Sequence, residues 1–181
     1  MEKNTIIIVD DSDVDANLAT MALKCTNEEF AIHHLKDGQE LVEYLTCKNQ
    51  YTKRTLDENQ SIRLILLDIN MPRMSGLDAL KLIRETPSLK QIPIAMLTSS
   101  DAASDILNSY HLGANSYIKK AIDFEEFRQS MNQTARYWIN VNQTALNWIQ
   151  PLVPYDPFQL VTQLYSLCFD FKTYLQYLNA F

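Results

Sequence analysis

Short hydrophobic runs alternate with segments of helical spacing over roughly the first 140 residues. Five runs predict β-strands, and the segments between them predict amphipathic helices. The runs are TIIIVD (5–10), FAIHHL (30–35), LILLD (64–68), IPIAMLT (92–98) and SYIKK (116–120). A run that is apolar on both faces is typical of a parallel strand covered by helices on both sides. The pattern therefore predicts an α/β fold, a parallel sheet joined by right-handed crossovers.

The segments between the runs give the helices and loops of this sheet. The first helix is expected over 12–24, with Val14, Leu18, Met21 and Cys25 forming its apolar stripe. Further helices are expected around 41–45, over 77–84 and 102–111, and after Asp123, with Ile122 and Phe127 as a hydrophobic staple. Residues 37–39 (DGQ) predict a turn, and the polar, aperiodic residues 46–61 predict a long loop.

Composition and charge narrow the possible functions. The chain has 181 residues and a formal net charge of -6, which argues against a nucleic-acid or anionic-membrane surface. No apolar run reaches the ~18 residues of a membrane span. Cys25, Cys47 and Cys168 match no metal spacing and indicate reduced thiols. Together with the absence of a signal-peptide pattern, they predict a cytoplasmic protein.

Polar residues stand at the ends of four of the predicted strands. Asp10 and Asp11 follow the first run, Asp68 ends the third, Thr98 the fourth and Lys120 the fifth. Ligands of open parallel sheets bind beyond the carboxyl ends of the strands, and the three acids converge there if the first and third strands are neighbours. Three close carboxylates repel one another, and a hard cation such as Mg²⁺ would relieve that repulsion. Asp68 is then a candidate nucleophile for a phosphoryl group, with Lys120 neutralising charge.

Four motifs resemble the receiver domain of two-component response regulators, a resemblance that covers about residues 4–139. The motifs are VDDS (9–12), LLDINMPRMSG (66–76), LTSS (97–100) and GANSYIKK (113–120). The long polar loop and the RYW triplet at 136–138 further resemble the subfamily that partners phytochrome-type sensor kinases.

The resemblance implies a flavodoxin-like five-stranded sheet of order 2-1-3-4-5 and a Mg²⁺ site. By this resemblance Asp11 and Asp68 would bind the metal directly and Asp10 largely through water. Asn70 would contribute its backbone carbonyl. The loop that brings it there would be shaped by Pro72 and Gly76.

The resemblance also implies phosphorylation. Asp68 would be the phosphoacceptor, charged from a sensor histidine kinase or a phosphotransfer protein. Thr98 would hydrogen-bond the phosphoryl group, Lys120 would pair with it, and Tyr117 would be the aromatic switch that alters protein–protein interactions. The family usually has Lys-Pro where this chain has Lys120-Ala121. A trans bond is predicted there, since a non-prolyl cis bond costs ~2.5–4 kcal/mol.

Two other functions compete with this signalling switch. An aspartyl-phosphate hydrolase of the haloacid-dehalogenase type would usually carry an acid two residues after the nucleophile, where this chain has Asn70. A degenerate receiver, acting as a phosphorylation-independent dimerisation or binding module, would typically lack one of the acids or the lysine, all of which are present here. The expected protein is therefore a phosphoacceptor and not an enzyme that turns over external substrates.

Residues 140–181 are expected to form a helical, hydrophobic extension to the receiver at 1–139. Apolar residues with heptad spacing follow Pro157, at Leu160, Leu164, Leu167, Phe171, Tyr174, Leu178 and Phe181. Polar residues interrupt the segment, which argues against membrane insertion. The extension could fold back on the receiver, but the predicted role is a homodimer interface.

Overall fold

A computed structural model of the chain describes residues 4–26 and 28–143. Its five strands form one parallel sheet in the order β2-β1-β3-β4-β5, which confirms the predicted flavodoxin-like topology. The strands are β1 Thr5–Val9, β2 Ala31–Leu35, β3 Ile62–Leu67, β4 Ile94–Thr98 and β5 Ser116–Lys119.

Five α-helices connect and flank these strands within the described residues. They are α1 Asp13–Lys24, α2 Gly38–Leu45, α3 Gly76–Glu85, α4 Ala103–His111 and α5 Phe124–Arg136. Four begin with a side chain that accepts a hydrogen bond from the third helical N–H, as N-caps do. The caps are Ser12, Asp37, Ser75 and Asp123. The predicted turn at 37–39 is therefore the capped start of α2.

The core has two layers because successive strand residues point to opposite faces of the sheet. Ile7 and Val9 of β1 pack with side chains of α2 and α3, among them Leu41 and Leu80. Ile6 and Ile8 face the other way, toward α1 and α5. This arrangement leaves the carboxyl ends of the strands as the shared edge at which the helices begin.

The predicted apolar stripe of α1 is wrong. Val14 and Met21 are 68% and 57% exposed, whereas the buried face consists of Ala16, Ala19, Ala22 and Leu23. Both stripes have helical spacing, so periodicity alone could not choose between them. Small side chains let a helix lie close to the layer it covers, and the bulkier residues remain outside.

The predicted staple at the start of α5 is also wrong. Ile122 is fully exposed, although Phe127 is buried as expected. Asp123 does cap the helix, accepting a 2.9 Å hydrogen bond from the Glu126 N–H.

The long loop at 46–61 folds back against α2. It contains two short 3₁₀ helices, Asn49–Tyr51 and Leu56–Ser61. The Arg54 guanidinium lies 3.6 Å from the centre of the Tyr44 ring, and Asn59 Nδ2 donates to the Leu45 carbonyl at 2.8 Å. These tertiary contacts order a segment whose sequence lacks periodicity.

The described chain ends in a π-helical turn, Tyr137–Val141, that continues α5. The expected boundary between 139 and 140 falls inside this turn. Residues 144–181, and with them most of the expected C-terminal extension and its dimer heptad, lie outside the described residues. The homodimer stays a prediction. No helix among the described residues is long and apolar enough to cross a membrane.

Candidate functional site

Four side chains named from the sequence meet at the carboxyl edge of the sheet. Asp10, Asp68 and Thr98 are buried, with exposed fractions of 3%, 7% and 0%. Lys120 follows β5, and its backbone N–H donates to the Thr98 carbonyl at 2.9 Å. The strand order places β1 directly beside β3, so Asp10 and Asp68 are neighbours across the sheet.

Asp10 is held at both its main chain and its carboxylate. The Asp10 N–H donates to the Leu35 carbonyl at 3.0 Å, and the Asp10 carbonyl oxygen lies 2.8 Å from His34 Nε2. One carboxylate oxygen accepts from the Ser12 N–H at 2.9 Å, and the other accepts from Lys120 Nζ at 2.7 Å. Both oxygens of this buried carboxylate therefore have donors.

Asp68 is less completely neutralised. Its Oδ2 accepts from the Asn70 N–H at 2.9 Å, while its Oδ1 lies 3.5 Å from Lys120 Nζ. Burial raises the pKa of Asp68, and the charge of Asp10 raises it further. Lys120 and a hydrogen bond with Thr98 act in the opposite direction without cancelling the rise. The Asp68 carboxyl therefore favours its neutral form more than an ordinary aspartate does.

Lys120 is shared among three carboxylates. Its Nζ lies 2.7 Å from both Asp10 Oδ2 and Asp15 Oδ2, and 3.5 Å from Asp68 Oδ1. Burial alone would lower the pKa of Lys120, but its hydrogen bonds to Asp10 and Asp15, together with the Asp68 charge, raise it to about 12. No cis peptide bond occurs among the described residues, so Lys120–Ala121 is trans, as predicted.

The loop after Asp68 closes on the aspartate itself. The Gly76 N–H donates to the Ile69 carbonyl at 2.9 Å, and a Cβ on Gly76 would lie under 3.0 Å from the Asp68 carbonyl group. Only a glycine permits this close approach. The requirement explains why glycine stands eight residues after the aspartate.

A second set of contacts ties the same loop to the start of α2. The Arg73 Nε donates to Asp37 Oδ2 at 2.7 Å, and the Gly38 N–H donates to the Met74 carbonyl at 3.2 Å. Asp37 is buried, whereas the Arg73 side chain is 60% exposed. Arg73 also adopts a positive φ of 60°, uncommon for a residue with a side chain.

Tyr117 and Thr98 both contact the turn after β4. The Tyr117 hydroxyl donates to the Ser100 carbonyl at 2.9 Å, and its ring packs against the core layer of α2 and α3. The Ser100 N–H donates to Thr98 Oγ1 at 3.4 Å, and its hydroxyl donates to Asp105 Oδ2 at 2.6 Å. Ser100 therefore contacts Thr98, Tyr117 and α4 at the same time.

The remaining two residues named as metal ligands border the site. Asp11 and Asn70 are exposed, each beside a buried site residue in the chain. Within 4–26 and 28–143, no three His, Cys, Asp or Glu side chains are gathered so that they could hold a metal ion. Lys120 provides the positive charge nearest to Asp10 and Asp68 in this structure.

Three residues important to this geometry are not apparent from the sequence motifs. Asp15 pairs with Lys120, and Arg73 pairs with Asp37. A carboxylate in the first turn of a helix is common because it favours the helix dipole, so Asp15 carried no distinctive signal. Asp37 was predicted only as part of a turn, and its role as the cap of α2 is seen in the structure.

A comparison with protein-family models identifies the family to which the chain belongs. Residues 6–132 match the response regulator receiver domain. The chain belongs to the response regulator receiver family. The match covers β1 from Ile6 onward and the other four strands completely, and it includes every residue of the site described above.

Individual relatives agree with this assignment. The receiver is 29% identical to response regulator Rcp1 of Synechocystis sp. over 134 residues, which are 74% of this chain and 88% of Rcp1. It is 36% identical over 117 residues, 65% of this chain, to the transcriptional regulatory protein SrrA of Staphylococcus aureus, of which the match covers 42%.

Two solved structures share the fold closely. One is the Mn(2+)-bound form of Rcp1, with a TM-score of 0.70 and 28% identity over 78% of this chain and 98% of that one. The other is the phosphorylated cyanobacterial phytochrome response regulator RcpA, with a TM-score of 0.71, 29% identity and the same coverage. The receiver is thus a signalling domain of the two-component type.

Proposed function

We propose that this receiver accepts a phosphoryl group on Asp68 from a sensor histidine kinase or a phosphotransfer protein. The observation that carries the proposal is the buried Asp68 carboxylate, whose Oδ1 lies 3.5 Å from the Lys120 ammonium and which hydrogen-bonds with Thr98. Phosphorylation would form an acyl phosphate whose oxygens carry negative charge, and the Lys120 ammonium lies where it can pair with that charge.

The donors around Asp68 suit a hard divalent cation. Carboxylate and carbonyl oxygens are the ligands that Mg²⁺ prefers, and it keeps several waters, so one or two carboxylates suffice. We propose that Asp68 and Asp11 ligate Mg²⁺ directly, with the Asn70 carbonyl, and that Asp10 does so through water. The bound ion would neutralise charge on the transferring oxygens.

The chain's own residues supply the rest of the reaction. An Asp68 carboxylate oxygen attacks phosphorus, and the imidazole nitrogen of the donor's phosphohistidine leaves with the bonding pair. The Lys120 ammonium and the Thr98 hydroxyl then contact the phosphoryl oxygens and stabilise their charge. Movement of Thr98 toward the phosphoryl group alters its contact with Ser100 and so the position of Tyr117.

This chemistry fits a switch better than a hydrolase. A phosphohydrolase needs a general acid or base near the acyl phosphate. The residue two positions after Asp68 is Asn70, and the Ser100 hydroxyl is engaged with Asp105. The receiver is therefore expected to hold its phosphoryl group and to change its protein contacts.

Acetyl phosphate with Mg²⁺, followed by intact-mass measurement, tests the proposal. The wild-type protein is expected to gain one phosphoryl group, and Asp68→Asn is expected to gain none. Asp57→Asn, in the exposed 3₁₀ segment before β3, removes the same charge away from the site and is expected to label like the wild type. Full labelling of Asp68→Asn would refute the assignment, and an unlabelled wild type would indicate a degenerate receiver.

A further inference from the structure

Asp15 contributes a carboxylate to the site that no receiver motif of this sequence includes. Its Oδ2 accepts a hydrogen bond from Lys120 Nζ at 2.7 Å, the same distance as that from Asp10. The Asp68 oxygen is farther away, at 3.5 Å. The ammonium is therefore bound between β1 and α1, and Asp68 is its most distant partner.

The position of Asp15 is fixed by the start of α1. The Ser12 hydroxyl accepts a hydrogen bond from the Asp15 N–H at 3.2 Å, and Ala16 and Ala19 are buried against the sheet. Asp15 and Lys120 together line a cavity of about 160 Å³, whose other walls include Leu18 and Phe127. The Asp15 side chain is 41% exposed, so it reaches the ammonium from the solvent side of the site.

We propose that Asp15 is a positioning residue that holds the Lys120 ammonium on the α1 side and so leaves Asp10 and Asp68 available to a divalent cation. The inference rests on the proposed Mg²⁺ site. A lysine and a metal ion compete for the same carboxylates because both are cations. Lys120 Nζ has two contacts of 2.7 Å, and one of them is with Asp15, which is not among the proposed Mg²⁺ ligands.

Loss of the Asp15 charge changes that competition. The ammonium then has only Asp10 and Asp68 as anionic partners among those it contacts here, and it moves closer to both. More free energy is then needed for Mg²⁺ to displace the Lys120 ammonium from Asp10 and Asp68. Residues that orient a metal site without binding the metal typically change affinity about 10- to 100-fold when they are replaced. Asp15→Asn is therefore expected to weaken Mg²⁺ binding about tenfold.

Asp13 provides a matched control on the same helix. It lies two residues from Asp15, and its carboxylate accepts from Lys36 instead of Lys120. Asp13→Asn removes the same charge from the first turn, so it reports any general electrostatic effect on the cation. It is expected to change Mg²⁺ affinity less than about twofold, because its partner does not enter the site.

Calorimetric titration of the full chain with Mg²⁺ alone tests the proposal without any phosphorylation step. Asp15→Asn is expected to bind Mg²⁺ about tenfold more weakly than the wild type, and Asp15→Glu to recover part of the loss. In a Lys120→Met background, Asp15→Asn is expected to have no further effect, because the two residues act as one unit. Circular dichroism of each variant shows whether it has folded.

Each other outcome has a distinct meaning. Equal Mg²⁺ affinities for Asp13→Asn and Asp15→Asn would overturn the positioning role while leaving the proposed phosphoacceptor intact. A loss of affinity that persists in the Lys120→Met background would also overturn it and make Asp15 part of the cation's own environment. A wild-type protein that does not bind Mg²⁺ would remove the proposed metal site, and with it this inference.

Discussion

Two loops present the two buried carboxylates of the site, and they are held in different ways. The loop from β1 to α1 is only residues 10–12: Asp10 accepts from the Ser12 N–H, and Ser12 caps the helix that follows. Asp10 itself is also bound to the end of β2 and to Lys120. The loop from β3 to α3 spans residues 68–75, and it depends on the distant Asp37 and Gly38 of α2. In the short loop the anchoring bonds are made by Asp10 itself, whereas the contacts of the longer loop with α2 are made by Arg73 and Met74, several residues after Asp68.

This difference bears on function because the proposed cation takes oxygens from both loops. Asp10 cannot move far without breaking its bonds with Ser12, Leu35 and Lys120. The segment around Asn70 is exposed, and its position depends on contacts at Arg73 and Gly76. We therefore expect substitutions in the longer loop to affect stability and metal affinity together.

The largest effect is expected from Gly76→Ala. Its Cβ would lie under 3.0 Å from the backbone of Asp68, which cannot rotate away as a side chain could. Overpacking of this kind against main chain is expected to lower the free energy of unfolding by about 3 kcal/mol or more. Urea denaturation measures the loss, and Mg²⁺ titration of the folded fraction shows whether Asp68 has been displaced.

Gly113→Ala is a control for the loss of a glycine as such. Gly113 has a φ of +94°, and its nearest non-bonded neighbours are atoms of the Arg84 side chain at 3.3 Å, a wider approach than that at Gly76. Its replacement is expected to cost about 1 to 2 kcal/mol and to leave Mg²⁺ affinity unchanged. A Gly76→Ala protein no less stable than Gly113→Ala would contradict the close approach between Gly76 and Asp68.

The contrast between the loops also explains what the sequence could predict. The parallel sheet, the cap at Asp123 and the meeting of polar residues at the carboxyl ends of the strands follow from local patterns and from the topology of parallel sheets, whereas the strand order was implied by the resemblance to receiver domains. Pro72 and Gly76 indicated the longer loop in the sequence. The loop is attached to α2 by Arg73 and Asp37, which are 36 positions apart. No local pattern contains that information.

The errors in the prediction have the same origin. Helix α1 carries two stripes of helical spacing, and only packing against the sheet selects the one made of alanines. Asp15 is an ordinary first-turn acid until β5 brings Lys120 to within 2.7 Å of it. The polar segment 46–61 lacks periodicity, and it is ordered by contacts with Tyr44 and Leu45. In each case a partner distant in sequence determines the structure.

A smaller effect is expected from Asp37→Ala. The substitution removes the cap of α2, worth about 1 kcal/mol, and the ion pair with the largely exposed Arg73, worth about 1 kcal/mol at most. The free energy of unfolding should fall by about 2 kcal/mol, and Mg²⁺ affinity should fall several-fold because the loop loosens. Urea denaturation and calorimetric titration measure the two losses.

Asp123→Ala is the matched control for the cap. Asp123 caps α5 by accepting from the Glu126 N–H at 2.9 Å, and Asp37 caps α2 by accepting from the Glu40 N–H at the same distance. Asp123 is exposed and lies far from the longer loop in the chain. It should cost about 1 kcal/mol with Mg²⁺ affinity unchanged. If Asp37→Ala lowers stability but leaves the affinity for Mg²⁺ intact, the contact between Arg73 and Asp37 does not position the metal loop.

The smallest expected effect is a coupling energy that compares the two loops directly. Ser12 and Ser75 cap α1 and α3 with bonds of the same length, 3.2 Å, so Ser12→Ala and Ser75→Ala should each cost about 1 kcal/mol. Combined with Asp37→Ala, Ser12→Ala should be additive to within about 0.5 kcal/mol, because its loop does not use Asp37. Ser75→Ala should cost less in that background, because its loop has already loosened. Urea denaturation of the three single and two double variants measures both couplings, and equal couplings would mean that the longer loop depends on Asp37 no more than the short one does.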